Sequence, residues 1–223
     1  MKKLLMVAMT LIVACSVSMA QSTKEINKER QEIRKMAKSQ LKEKVDKNTK
    51  KEAKRLAKEG WGVKPGALPL EKQLQRSYEM QYMFDEDNFP RYIMGTASSF
   101  GENYDAARNA AMSLATVDLA GQIQKEVTAI TETTNGNQQL SAEDAASIVE
   151  SLTTSKEVIS QSLGRTIVVT ECYRIAKNKN SEVLIRIAYN GDMAKKAAKE
   201  AIRQDLEKKG KDLHEQLDKL LGF

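Results

Sequence analysis

Along this chain the spacing of apolar residues changes character several times, and each change predicts an element. From Lys24 to Glu59 there is no Gly or Pro, and Ile26, Ile33, Ala37, Leu41 and Val45 recur near helical spacing in a narrow stripe. That predicts one long basic helix ending at Gly60. Residues 61–70 hold two of the three prolines and the only tryptophan, the mark of a linker or structured loop in which Trp61 is expected to anchor packing. Leu74, Tyr78 and Tyr82 share one stripe of a short helix predicted from Glu71 to Phe84.

Beyond Asn88-Phe89-Pro90 the pattern becomes that of a packed domain. Arg91 to Phe100 predicts a strand closed by Gly101. A helix starting at Asn103 or Asp105 follows, with Ala107, Ala110, Leu114, Val117 and Gly121 as its expected apolar face and Ala111, Ala115 and Leu119 beside it. The β-branched run from Val127 to Thr134 predicts a second strand ending at Asn135-Gly136. Ser141 and Asp144 have capping-box spacing and open a helix toward Gln161. Thr166 to Ile175 and Val183 to Tyr189 are the clearest strands, joined by a hairpin turn at Lys177 to Ser181, with Val183, Ile185, Ile187 and Tyr189 on one face. Asp192 is expected to cap a final helix with Ile202, Leu206, Leu213, Leu217 and Leu220 as its stripe, bent or broken at Gly210. The order predicts an α+β fold: a small, largely antiparallel sheet with helices packed on one face, preceded by the long basic amino-terminal helix.

The opening MKKLLMVAMTLIVACSVSMAQ changes the setting of everything after it. Two lysines, an apolar run from Leu4 to Val13 and then small residues form an export signal, too short to span a bilayer and stay. Two cuts compete: Ile12-Val13-Ala14-Cys15 fits a lipoprotein box that would lipidate Cys15, and Ser18-Met19-Ala20 fits the ordinary peptidase site before Gln21. The ordinary cut is favoured, because Ser-Val-Ser-Met-Ala would make a rather apolar tether. The expected divisions are therefore a signal at 1–20, a basic helical arm at 21–60, a linker and short helix at 61–90, and the α+β domain with its carboxyl-terminal helix at 91–223.

Charge is unevenly distributed. Residues 21–60 carry 14 Lys/Arg against 7 Asp/Glu, net +7, whereas residues 61–190 carry 12 against 16, net −4. The whole-chain charge of +6 thus reports one basic arm. Behind a signal peptide such an arm points to anionic lipid headgroups, an acidic wall polymer or an acidic envelope protein, and export argues against nucleic acid. Its candidate surface-attachment residues are Arg30, Arg34, Lys35, Lys38 and Lys42. With Cys15 removed or lipidated, Cys172 has no intramolecular partner and is expected as a buried thiol, interchain pairing in a homo-oligomer being the alternative.

The chain carries few groups at spacings that point to chemistry. His214 and Asp218 stand four apart on one helical face, but zinc sites want three or four ligands and there is no second histidine. Asp85 to Asn88 hints at calcium, yet Phe89 and Pro90 occupy places where a calcium loop needs oxygen and glycine. No nucleophile elbow or phosphate loop is present, so no catalytic, cofactor or metal residue is assigned and a non-enzyme is expected.

Two stretches carry a family likeness. AARNAAMSLATVDLAGQIQKEV at 106–127, followed by SLGRTIVVT at 162–170 and the hairpin through Tyr189, resembles the twenty-kilodalton lipoprotein family first described in Helicobacter, over roughly residues 91–190. The resemblance implies a small envelope-associated α+β module of a Gram-negative bacterium, periplasmic or at the outer membrane, with no functional residue to carry over. The expected function is a non-enzymatic binding or structural module attached through its arm or a lipid. A periplasmic ligand-binding protein or hydrolase, with a pocket between sheet and helices, is the alternative.

Overall fold

The computed structural model describes residues 44–86, 88–135, 141–210 and 213–221, with a few helical positions between 27 and 35. The expected export signal, with Cys15 and both expected cuts, lies outside the described residues. Residues Val45–Phe223 form one compact unit, separate from Met1–Lys44. The segment at 61–90 and residues 45–60 of the expected arm thus belong to the compact unit.

One unbroken helix over 24–59 is not what the chain adopts. Residues 44–46 are not helical, and Asp46 caps a new helix, α1 (Lys47–Lys58), its carboxylate accepting from the backbone N–H groups of Asn48 and Thr49. A side chain that bonds the orphan amides of the first turn is a helix start, which even spacing of apolar residues could not announce. Val45 is buried just ahead of it. The helix ends as expected, with Gly60 at φ 90°.

Helix α2 (Leu70–Gln81) follows, entered through Pro69. It buries Gln73, Leu74, Ser77 and Met80, whereas Tyr82, expected on its stripe, is 70% exposed beyond its end. Strands β1 (Tyr92–Gly101), β2 (Ile167–Ile175) and β3 (Ser181–Asn190) form an antiparallel sheet in the order β1-β3-β2. The hairpin stands where its turn residues placed it, with Lys179 at φ 68°, and a bulge between Val168 and Thr170 shifts the β2 register.

Between β1 and β2 the chain makes α3 (Tyr104–Asn135), then α4 (Ala142–Thr154) and α5 (Lys156–Ser162). The strand expected at 127–134 is helical instead. Val127 and Thr131 extend the buried i, i+4 row of Ala107, Ala111, Ala115, Leu119 and Ile123, and the hydroxyls of Thr128 and Thr131 bond the carbonyls of Gln124 and Val127. Burial on a continuing helical face here outweighs β propensity. The buried face of α3 is also the neighbour of the one expected: Leu114 and Val117 are 51% and 45% exposed. Ser141 caps α4 through the Asp144 N–H, and the run toward Gln161 turns at Ser155. Helices α6 (Gly191–Lys208) and α7 (His214–Leu221) end the chain, parted at Gly210 with φ 68°. The cap of α6 is Asn190, not Asp192, since the Asn190 side chain accepts from the Met193 N–H.

One face of the sheet carries Val183, Ile185, Ile187 and Tyr189 against α3, in a core completed by Ile148, Leu152, Ile159, Ile202, Leu206 and Leu217. The other face carries Thr96, Thr170, Cys172, Arg174, Leu184 and Arg186. It is covered in part by α2, through Ser77 and Gln73, and by Trp61. Helices therefore lie on both faces of the sheet, correcting the one-face layering. Period-two alternation named the apolar face but not what would cover its polar reverse.

Candidate functional site

Of the expected attachment residues, Arg30, Arg34 and Lys35 are exposed at helical positions, and Lys38 and Lys42 lie outside the described residues. The rest of the chemistry is in the compact unit, in groups of side chains distant in sequence.

At the start of α3, Glu171 on β2 gathers three neighbours. The Tyr104 hydroxyl donates to its carboxylate, Arg108 Nε reaches both carboxylate oxygens at 3.1 and 3.2 Å, and the backbone N–H of Glu171 donates to Gln73 Oε1 at 2.7 Å. Burial, then the bond to Glu171, pushes the Tyr104 phenol up to about 12. The bond to Glu171 raises the Arg108 guanidinium as well. Lys64 Nζ stands 3.9 Å from the Tyr104 ring centroid, and the rings of Tyr104 and Tyr173 meet edge to face at 5.3 Å. These groups clasp the outer edge of β2 to α2 and α3: the phenol stays protonated at neutral pH and the acid and guanidinium satisfy each other.

Beside it, Trp61 anchors packing as expected. The Arg174 guanidinium lies 4.6 Å from its ring while Arg174 Nε donates to Glu182 Oε2 at 2.6 Å. Cys172 is a buried thiol, pushed up to about 12 by burial and then by Glu182 and Glu171. A thiol so protonated is a poor nucleophile.

A third group lies in the middle of the sheet's polar reverse. Arg186 on the central strand donates through Nε to Thr96 Oγ1 at 3.0 Å and through Nη1 to Ser77 Oγ at 2.8 Å. Thr170 is its cross-strand partner on the other side. Nearby, Tyr78 donates to Glu52 on α1, and burial, then that bond, raises the phenol to about 12. Arg186 and Ser77 are 109 positions apart, so no local motif could have revealed them. The one available signal was an arginine inside the otherwise uncharged run Val183–Tyr189 of β3.

The remaining candidates are occupied structurally. Asp218 receives Lys199 Nζ at 3.1 Å and Arg203 Nη2 at 2.6 Å, while His214 Nε2 lies 3.4 Å from Glu207, so the helical His-Asp pair is not assembled around a shared point. Asp85 accepts from the Phe89 N–H and faces Lys195 at 3.6 Å, closing its own turn. Residues 95–101, with two glycines and two serines, are strand. Between the sheet and α3, Ala111, Ala115, Leu119, Ile185 and Ile187 are fully buried, and a Cβ on Gly95 would sit 2.3 Å from the Ala115 carbonyl. That space is filled by the protein itself.

Among the described residues no group of three or more His, Cys, Asp or Glu side chains is arranged to hold a metal, and no helix is long and apolar enough to cross a membrane. No family model matches the chain, and comparison with curated proteins and with solved structures gives no match either.

Proposed function

We propose that this chain is an exported cell-envelope protein that works as a non-enzymatic binding or structural module, held at an anionic surface by its basic arm or by a lipid on Cys15. The observation that carries the reading is the charge asymmetry: net +7 over residues 21–60 behind a leader of export composition, against net −4 over residues 61–190. Arg30, Arg34 and Lys35 offer exposed cations there. Such cations are attracted to acidic polymers, acidic proteins and anionic headgroups alike, and the attraction weakens as salt screens it.

The likeness to the twenty-kilodalton lipoprotein family supports the same reading. It rests on the stretches that make α3 and the β2–β3 hairpin, the framework of the compact unit. Periplasmic or outer-membrane placement in a Gram-negative bacterium goes with it.

Charge reversal tests the arm. Replacing Arg30, Arg34, Lys35, Lys38 and Lys42 by Glu is expected to abolish co-sedimentation with vesicles containing phosphatidylglycerol at low salt. Sedimentation equal to that of the unaltered protein would sink the arm's role. The intact mass of the mature protein separates the two modes of attachment: a chain starting at Gln21 leaves the arm alone, and a lipidated Cys15 makes the arm a stalk.

A further inference from the structure

On the polar reverse of the sheet, four side chains from four elements form a group unusually rich in donors. Arg186 (β3) bonds only neutral hydroxyls, Thr96 Oγ1 on β1 and Ser77 Oγ on α2, and no carboxylate lies within 4.0 Å of its nitrogens among the described residues. A partly covered guanidinium more often faces a carboxylate, because desolvated charge is costly unless it is paired. The two hydroxyls each accept from the guanidinium, which leaves their own protons to donate elsewhere, and no acceptor for either is present among the described residues. Ser77 is fully buried. Thr170, across the strand from Arg186, is 2% exposed, and its Oγ1 has no hydrogen-bond partner.

The surrounding acids do not answer this group. Glu52 accepts the Tyr78 hydroxyl, Glu79 accepts from Gln75 Nε2 at 2.8 Å, and Asp118 accepts from the Thr96 backbone N–H at 2.8 Å, so each of these carboxylates is engaged by another donor. Arg76, one residue before Ser77, is a second partly buried guanidinium on α2, near Tyr92. The approach is from the β1 side, where Ser98 is exposed and Thr96 and Arg186 are only partly covered.

We infer that Arg186, Ser77, Thr96 and Thr170 form a binding site for a small oxyanion, a phosphate or a carboxylate group. A guanidinium presents a planar fork of N–H donors that suits two oxygens at once, and hydroxyl protons supply the remaining bonds. The site is independent of the arm and of how the chain is attached.

The test uses the full mature chain, titrated with sodium phosphate, sodium acetate or sodium chloride at constant ionic strength. Binding is read from the side-chain Nε–Hε resonance of Arg186 and from the thermal unfolding midpoint. The expected result is a saturable shift of that resonance and a raised midpoint with phosphate or acetate but not with chloride. The better of the two identifies the tetrahedral or the planar anion. Arg186→Gln should weaken the binding by about tenfold or more, the loss of a charge-assisted bond. Ser77→Ala, which keeps the guanidinium, should weaken it by a smaller factor. Equal responses to all three anions, or undiminished binding in Arg186→Gln, would overturn the site. Should Arg186→Gln fail to fold, the wild-type resonance titration and Ser77→Ala decide the matter.

Discussion

A methyl group at position 95 would stand 2.3 Å from the carbonyl oxygen of Ala115 and 2.6 Å from Leu119 Cβ, so the backbone of α3 rests directly on β1 there. Gly95→Ala must push a helix off a strand. The expected cost is about 1–3 kcal/mol or more, read as a lower urea midpoint. Thr170→Val tests the opposite case. Removing an unpartnered buried hydroxyl is expected to stabilise the ligand-free protein by about 1 kcal/mol in the same assay. Three protons bear on alkaline stability. The phenols of Tyr78 and Tyr104 have folded pKa values of about 12, above the ordinary 10, and Cys172 stands at about 12, above 9. A folded value above the unfolded one gives stability that is whole below the unfolded pKa and is lost as pH rises through the folded one. Two of the six tyrosines should therefore ionise near pH 12 in the ultraviolet spectrum, and stability should decline from about pH 9 upward. Cys172, 2% exposed, should resist iodoacetamide until the chain unfolds. Rapid alkylation of the native protein would show the thiol to be reachable.

Helix starts depend on single side chains. Ser141→Ala should cost about 1 kcal/mol through loss of the bond to the Asp144 amide, measured by chemical denaturation. At α1 the cap is a carboxylate. Bonds from the Asn48 amide, then the Thr49 amide, hold Asp46 below its ordinary 3.8. A depressed folded pKa gives stability that is present above 3.8 and lost as pH falls below it. Amide exchange in the first turn of α1 should accelerate in that acid window, and Asp46→Asn should flatten the dependence. Elements also show where periodicity is ambiguous. Helix α3 offers two adjacent apolar rows, one through Leu114 and Val117 and one through Ala111, Ala115 and Leu119. The sheet takes the second, where Gly95 leaves room for the Ala115 carbonyl and the Leu119 backbone to rest on β1.

For the molecule as a whole, the compact unit begins at Val45, and its core is drawn from residues within that unit. A fragment of residues 45–223 is expected to unfold cooperatively near the midpoint of the full chain. Loss of the cooperative transition would place stabilising contacts upstream. Much of this unit was legible beforehand. The hairpin, the strand at 92–101, the Ser141 cap and the break at Gly210 follow from rules that act over a few residues: alternation, turn chemistry, a capping side chain, a glycine at positive φ. The chain alone also settles the charge asymmetry on which the attachment proposal rests, since counting charges needs no fold. Other features depend on groups distant in sequence. Whether Val127 to Thr131 becomes strand or helix turns on what the preceding helix buries. Which row of α3 faces inward turns on a glycine in another element. The meetings of Glu171 with Tyr104 and Arg108, and of Arg186 with Ser77, Thr96 and Thr170, arise from strand register and from α2 lying across the sheet. Local preferences act over a turn or a strand, whereas these placements follow from which packing of the whole chain buries the most apolar surface with its polar groups still bonded.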